Sequence, residues 1–171
     1  MTFDPSTYKT HWTSPLGPML IAATDQGLAG VWFDDQRDLP MHAAWRTDNH
    51  AALLQQTINE LDGYFCGQRQ AFDLPLDLRS GTPFQQSVWR ALLGIAPGQT
   101  TSYGDISQRI GNPKAVRAVG AAIGRNPVSI IVPCHRVIGS NGALTGYTGG
   151  LQRKAALLQL EGAWHVKLIP V

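Results

Sequence analysis

The sequence predicts an α/β (α+β) fold: a small N-terminal α/β domain with an antiparallel sheet, followed by a mostly helical C-terminal domain with a helix-turn-helix. Three patterns in the 171 residues support this prediction. Short apolar segments separated by turn residues fill the N-terminal part, and helical spacing dominates after residue 82. A turn at Gly111-Asn112 joins two short helical segments. With a boundary near Ser80-Gly81, the predicted domains are residues 1–81 and 82–171.

The first domain is predicted from alternating strand and turn signals. Segments 8–13, 19–23 and 28–33 are separated by turn-forming residues, which is typical of a small antiparallel meander. Apolar residues at helical spacing then predict a helix within 48–65, which Gly67 ends. A short extended segment is expected at 72–74, and Cys66 is interpreted as structural. This domain shows no catalytic cluster.

The second domain is predicted to be built from four helices. Thr82 is an expected N-cap, with Pro83 at the first helical position and Gln85 completing a capping box, and Pro97-Gly98 is expected to end that helix. Residues 102–105 begin a second helix. The third has Asn112 as N-cap and Pro113 at its first position, and it runs from 114 to about 124. A final helix spans about 151–160 and is expected to bury Leu157, Leu158 and Leu160.

Charge is distributed unevenly between the two halves of the chain. The net charge is +2, but residues 1–83 carry five basic and ten acidic side chains, whereas residues 84–171 carry nine basic and two acidic ones. This asymmetry favours a polyanion, nucleic acid above all, as the partner of the second half. The alternative is a basic surface that contacts only solvent. No apolar run approaches a membrane span and no signal-peptide pattern is present, so the expected location is cytoplasmic, where a free thiol stays reduced.

Cys134 is the candidate nucleophile. It follows the apolar run 128–132, which predicts a buried strand ending at Pro133. On an extended segment Cys134 and His135 point to opposite faces, so a bridging water would carry a proton between them. His135 and Arg136 are expected to lower the pKa of the thiol towards neutrality. The alternative is an inert buried cysteine.

Glu161 is a candidate partner for His135. It is one of two acids in the second half and follows the last helix, where a carboxylate is electrostatically unfavourable. A buried contact with His135 would explain this position, since a carboxylate–histidine–thiol arrangement turns the histidine into a base and fixes its tautomer. The alternative is that Glu161 is exposed at the surface and has no functional partner.

The third helix of this domain is predicted to carry mostly small side chains. Its alanines leave much of the surface without bulk, and Lys114 and Arg117 share a face at i, i+3. Such a helix could enter a DNA groove, with Arg117 as a wedge in the base stack. The alternative is a small face packed on another helix. The alanines are Ala115, Ala118, Ala121 and Ala122.

These motifs together resemble a known family. The run 133–137 (Pro-Cys-His-Arg-Val) is similar to the active-site signature of the O6-alkylguanine–DNA alkyltransferases, bacterial type. Asn126-Pro127, Arg117-Ala118-Val119, Tyr103 and the blocks 146–150 and 157–162 match the same family, so the resemblance is specific over 82–162 and looser before that.

The resemblance implies direct DNA repair: the protein binds duplex DNA containing alkylated guanine, flips the damaged base into a pocket and accepts the alkyl group irreversibly on Cys134, without a cofactor. In this scheme His135 takes the thiol proton through a water, Glu161 orients His135, Tyr103 protonates or hydrogen-bonds guanine N3, and Asn126 organises the turn near the thiol. The implied DNA-contacting residues are Arg117, Lys114, Ala118, Gly120, Ala121 and Arg125. The implied guanine pocket is lined by Tyr103, Val137, Tyr147 and Thr148. Thr148 replaces a serine found in some relatives.

The resemblance also bears on metal binding and on rival functions. Larger members of the family hold zinc in the first domain, but this chain offers no ligand set, so we predict no metal site. A monomer without membrane association is expected. The main rival function is non-enzymatic binding of alkylated-DNA lesions, although such relatives carry tryptophan at the cysteine position. A cysteine hydrolase and a transcription regulator are two further rivals.

Overall fold

The N-terminal half forms a four-stranded sheet flanked by one helix. In a computed structural model that describes residues 1–164, the sheet has the order β3-β2-β1-β4, with antiparallel pairing of the first three strands and a short parallel β4. Helix α1 packs on the first three strands. The elements are β1 (Tyr8–Ser14), β2 (Gly17–Thr24), β3 (Gly27–Phe33), β4 (Arg46–Thr47) and α1 (Ala52–Phe65).

Helices make up most of the regular secondary structure of the C-terminal half. Two short strands pair in parallel beside four helices, and a single turn of 3-10 helix at Cys134–Arg136 precedes the second strand. The elements are α2 (Pro83–Leu92), β5 (Thr101–Ser102), α3 (Tyr103–Arg109), α4 (Val116–Gly124), β6 (Val137–Ile138) and α5 (Leu151–Leu160). The mixed α and β content and the separation of sheet and helices confirm the predicted fold class.

One hydrophobic cluster joins the two halves. It contains residues of β2 and β3, of α1, and of α2, α4 and α5, together with Val128, Ile130 and Cys134. The edge strand β3 also bonds to the segment before the cysteine: Val31 N–H donates to Pro127 O (2.8 Å) and Ser129 N–H donates to Val31 O (3.0 Å). The sheet therefore fixes the backbone that leads into Cys134.

The capping box predicted at the start of α2 is present. The Thr82 hydroxyl accepts from Gln85 N–H (3.2 Å), and the Gln85 side chain accepts from Thr82 N–H (2.9 Å), with Pro83 in the first turn. A second box joins Ser102 and Asp105 at the start of α3. Each box satisfies backbone N–H groups that the first helical turn leaves without partners.

Replacing Thr82 with alanine should lower the free energy of unfolding by about 1 kcal/mol, because the hydroxyl that accepts the Gln85 N–H is lost. Thr100→Ala is the matched control, since Thr100 is exposed and its hydroxyl makes no hydrogen bond within residues 1–164. Chemical denaturation of both variants measures the difference. Equal stabilities of the two variants would contradict the capping role.

Several predicted elements were wrong. Apart from an isolated bridge between Val128 and Val31, residues 128–132 form turns rather than a strand, because Val132 N–H bonds back to Val128 O (3.0 Å) and Ile130 has a φ of 72°. Helix α2 ends at Leu92, well before Pro97-Gly98. The extended segment at 72–74 is replaced by one isolated bridge between Leu28 and Leu76.

The last two helices also differ from the predictions. Helix α4 begins at Val116 with Ala115 as N-cap, because residues 112–115 form a turn closed by Ala115 N–H donating to Asn112 O. Asn112 and Pro113 therefore do not start it. Leu160 is 42% exposed, whereas Leu157 and Leu158 are buried as predicted.

Candidate active site

Asn126 organises the turn that carries the cysteine. Its side-chain amide donates to Val132 O (2.8 Å), and its side-chain oxygen accepts from Val128 N–H (3.0 Å). The two ends of the turn are thus tied to one buried side chain. Between them Ile130 adopts the left-handed conformation, which is costly for a β-branched residue and persists only where its surroundings impose it.

Cys134 lies in the turn of 3-10 helix that follows. Its side chain is almost wholly enclosed, with the residue 7% exposed. Burial raises the pKa of the Cys134 thiol, while the Asn126 side chain, the charge of Lys154 and backbone N–H groups act in the opposite direction. The thiol is therefore held in its protonated form until a base removes the proton.

The prediction that His135 and Arg136 lower the pKa of the thiol was wrong. Burial lowers the pKa of His135, so the imidazole is neutral, although its contact with Glu161 acts in the opposite direction. The Arg136 guanidinium binds Glu161 and donates to the Ile95 carbonyl. Neither side chain presents an uncompensated positive charge to the sulfur. The strand geometry expected for Cys134 and His135 was also wrong, because both belong to the 3-10 turn.

Glu161 contacts His135, as the sequence led us to expect. His135 Nε2 lies 2.8 Å from Glu161 Oε1, and both side chains are buried. Arg136 donates to both oxygens of the same carboxylate through Nε (2.9 Å) and Nη2 (2.8 Å), and the Tyr64 hydroxyl donates to Oε1 (2.7 Å). Burial alone would raise the pKa of Glu161, but these donors outweigh it and hold the pKa well below its usual range.

The contact with Glu161 fixes the orientation of the His135 ring. The second ring nitrogen, Nδ1, is buried and has no hydrogen-bond partner among residues 1–164. With Nε2 donating to the carboxylate, Nδ1 of the neutral ring carries the lone pair. His135 is therefore arranged to accept a proton at Nδ1.

A cavity of about 450 Å³ lies against α4 and the loop that precedes α5, and Cys134, His135 and Glu161 are not among the residues that line it. Three of the four predicted pocket residues line it, namely Tyr103, Tyr147 and Thr148. Val137, the fourth, is fully buried and lies outside the lining. The Tyr103 hydroxyl donates to Thr145 O (3.2 Å), and the Thr148 hydroxyl donates to Gly124 O at the end of α4 (2.9 Å). The remaining lining residues are Arg37, Asp38, Gly120, Ile123, Gly124 and Gly146.

Helix α4 presents small residues next to this cavity. Arg117, Ala118 and Ala121 of this helix are exposed to solvent. Gly120 and Gly124 line the cavity itself. Arg125 is exposed just beyond the helix. Lys114 is also exposed but precedes the helix, so the expected i, i+3 face with Arg117 is not formed. Ala122 packs inward, and Ala115 is half-buried.

Three contributions to the site were missed from the sequence. Lys154 is fully buried, although Arg153-Lys154 looks like a solvated pair. Tyr64 and the pair Arg37-Asp38 come from the first domain, to which we had assigned no catalytic role. One signal was available for the lysine, because Lys154, Leu157, Leu158 and Glu161 recur at the spacing of a single helix face.

No group of three or more potential metal-ligating side chains occurs within residues 1–164. In the same part of the chain, no helix is long and apolar enough to cross a membrane.

Comparison with known proteins identifies the family. Residues 83–163 match the model of the 6-O-methylguanine DNA methyltransferase DNA binding domain, and residues 7–78 match that of the 6-O-methylguanine DNA methyltransferase ribonuclease-like domain. The chain therefore belongs to the 6-O-methylguanine DNA methyltransferase family, as its motifs indicated.

Individual relatives agree with this assignment. Methylated-DNA–protein-cysteine methyltransferase of Mycobacterium tuberculosis is 50% identical over 148 residues, which cover 86% of this chain and 88% of the relative. The protein of the same name from Methanosarcina acetivorans is 46% identical over 157 residues, covering 91% and 99%. The crystal structure of M. tuberculosis OGT in complex with DNA matches with a TM-score of 0.84 at 47% identity, over 91% of this chain and 93% of the other.

Proposed function

We propose that this protein is a methylated-DNA–[protein]-cysteine S-methyltransferase that repairs O6-alkylguanine in duplex DNA by moving the alkyl group to Cys134. The single observation that supports this most directly is the buried His135–Glu161 hydrogen bond directly after the buried Cys134, in a chain half identical to methyltransferases of this name. Cys134 is the alkyl acceptor and is consumed, so each molecule reacts once. O4-alkylthymine is a second candidate substrate.

The reaction is a single displacement at the alkyl carbon. The thiol proton passes to His135 Nδ1, through a water, and the resulting thiolate forms a bond to carbon as the bond from that carbon to guanine O6 breaks. The electron pair stays on the guanine, and Tyr103 donates a hydrogen bond or proton to N3 as charge develops. The guanine takes its proton from Tyr103 or from solvent, and Tyr103 and His135 return to their starting protonation states by exchange with solvent, so that overall one proton replaces the alkyl group on guanine. No cofactor takes part.

Glu161 and Asn126 support this step without touching the substrate. Glu161 keeps His135 in the tautomer with its proton on Nε2, and Asn126 holds the turn that aims the sulfur. Tyr103, Tyr147 and Thr148 form the guanine pocket, and the backbone of Val137 is expected to contribute to it. The cavity volume of about 450 Å³ lies within the range of small-molecule sites, so a single base can enter it.

DNA is expected to bind across α4 in a helix-turn-helix made with α3. The small residues Ala118, Gly120 and Ala121 let this helix approach a narrow groove, and Arg117 fills the space that the flipped base leaves. Lys114 and Arg125 contact phosphates. We assign the domain of residues 82–171 to DNA binding and alkyl transfer, and we expect a cytoplasmic monomer.

Incubation with duplex DNA that carries radiolabelled O6-methylguanine tests the proposal. Stoichiometric transfer of label to protein, limited to one equivalent, is the expected result. Binding without transfer would instead identify a lesion-binding protein, the alternative function. Failure to bind or react would indicate a cysteine hydrolase, and sequence-specific binding unaffected by Cys134→Ser would indicate a transcription regulator.

Replacing Arg117 with alanine should impair base flipping more than binding to undamaged DNA, because the side chain acts after the base has left the stack. Lys114→Ala is the comparison, since loss of a phosphate contact weakens binding to all sequences alike. Fluorescence of 2-aminopurine at the target position measures flipping, and anisotropy measures binding. A proportional fall of both quantities in Arg117→Ala would contradict the wedge role.

A further inference from the structure

Lys154 is a buried cation that the reaction scheme leaves unused. It belongs to α5, and its side chain is wholly shielded from solvent. The ammonium donates to three carbonyl oxygens: Val137 O (2.5 Å), Thr145 O (2.7 Å) and Gly146 O (3.3 Å). All three donor hydrogens of a lysine are thereby used. Burying a charged group costs free energy unless the group is hydrogen-bonded, and these three acceptors offset that cost. We therefore ask what the buried ammonium group contributes to the site.

The three carbonyls belong to two separate parts of the active site. Val137 begins β6, directly after the 3-10 turn that carries Cys134. Thr145 and Gly146 precede Tyr147 and Thr148 in the loop that lines the cavity. Residues 139–150, which include this loop, form only turns, bends and irregular backbone. A single ammonium group thus joins the backbone behind the thiol to the loop that faces the base.

The Tyr103 hydroxyl shares one of these partners. It donates to Thr145 O at 3.2 Å, and Lys154 donates to the same oxygen. A carbonyl oxygen has two lone pairs and can accept both. When guanine enters and Tyr103 turns to N3, Lys154 still donates to this carbonyl, so the tyrosine can exchange partners while the carbonyl keeps one donor.

The charge of Lys154 also acts on the sulfur. Burial lowers the pKa of Lys154 to about 8, and the Cys134 charge acts in the opposite direction, while Lys154 in turn acts to lower the pKa of Cys134. The guanidinium of Arg136 is paired with Glu161, and His135 is neutral. Among these neighbouring groups, Lys154 supplies the positive potential that favours the thiolate.

We infer that Lys154 is a positioning residue of the alkyl-transfer site, which clamps the guanine-pocket loop to the Cys134 backbone and favours the thiolate electrostatically. The inference rests on the proposed function, which it deepens by adding a residue that touches neither the base nor the alkyl group.

Lys154→Met and Lys154→Gln separate the two roles. Methionine removes both charge and donors, whereas glutamine removes the charge but keeps amide donors for the loop. The matched control is Lys9→Met, because Lys9 is a buried lysine of the first domain that donates to His42 O (2.6 Å) and contacts His42 Nδ1. Circular dichroism establishes which variants are folded.

Three readouts are measured on the full-length protein. They are the single-turnover rate of methyl transfer from O6-methylguanine DNA, the pH dependence of Cys134 alkylation by iodoacetamide without DNA, and amide hydrogen exchange over residues 143–148. We expect Lys154→Met to slow transfer roughly 100-fold, the penalty of misplaced reacting groups, to raise the pH at which the thiol reacts and to speed exchange in the loop. Lys154→Gln should raise the thiol pKa similarly but retain part of the loop protection.

Lys9→Met should leave all three readouts near wild type even where it lowers thermal stability. The inference would be overturned by a folded Lys154 variant whose transfer rate lies within two-fold of wild type and whose thiol reacts over the wild-type pH range. If Lys154→Met fails to fold, the same measurements on Lys154→Gln decide. Failure of the proposed function can be distinguished from failure of this inference. In that case the wild-type protein would transfer no methyl group, while the iodoacetamide and hydrogen-exchange measurements would still report on Lys154.

Discussion

Cys134→Ser should abolish methyl transfer while leaving affinity for duplex DNA largely intact. A serine hydroxyl is far less acidic than a thiol, and the buried base beside it is a neutral imidazole whose own pKa is lowered. The exposed side chains on and beside α4 that we propose to contact DNA are unchanged by the substitution. Single-turnover transfer and fluorescence anisotropy with the same lesion-bearing duplex measure the two properties.

The chain supplies a matched control for this experiment. Cys66 is its other cysteine, and it is exposed at the end of α1, away from the cavity lining. Cys66→Ser should transfer methyl groups at the wild-type rate and to one equivalent. Retention of transfer in Cys134→Ser, or its loss in Cys66→Ser, would remove Cys134 from the mechanism.

Glu161→Gln should lower the free energy of unfolding by roughly 3–5 kcal/mol and nearly eliminate transfer. The substitution leaves the Arg136 guanidinium buried without its carboxylate, and an uncompensated buried charge is strongly destabilising. In the proposed mechanism it also removes the charge that stabilises His135 when the ring takes the thiol proton. Denaturant titration and the single-turnover rate, both at neutral pH, test the two effects.

Tyr64→Phe is the milder companion variant. It removes one donor to Glu161 and leaves the His135 and Arg136 contacts in place, so the free energy of unfolding should fall by about 1 kcal/mol.

The contribution of Glu161 to stability should also depend on pH. Because the folded pKa of Glu161 lies below its ordinary value of 4.5, its contribution is present above that pH and is lost as the pH falls further. The stability gap between wild type and Glu161→Gln should therefore narrow in acid, and a gap independent of pH would contradict the ion-pair account.

Local signals in the sequence were sufficient for much of the fold. The meander of β1 to β3 follows from turn residues between apolar segments, and the start of α2 follows from Thr82, Pro83 and Gln85, because these signals act over a few residues. The apolar run 128–132 misled us. Its residues are buried by packing against β3, and a turn tied by Asn126 buries them as well as a strand would.

The site was predictable where its residues are neighbours or match a family motif. Cys134 and His135 are adjacent, and the unfavourable position of Glu161 at a helix end pointed to a buried partner. The contribution of Tyr64 was not accessible, because it is a contact between residues 97 positions apart. The burial of Lys154 was hidden by its resemblance to a surface lysine, and only the three-dimensional fold shows the carbonyls that surround it.

Intact-mass spectrometry after exposure to excess duplex containing O6-methylguanine shows whether Cys134 accepts one methyl group and is consumed. We expect every active molecule to gain the mass of one methyl group in place of one hydrogen, peptide mapping to place it on Cys134, and no further turnover to follow. Unmodified protein recovered after many lesions have been repaired would contradict this expectation.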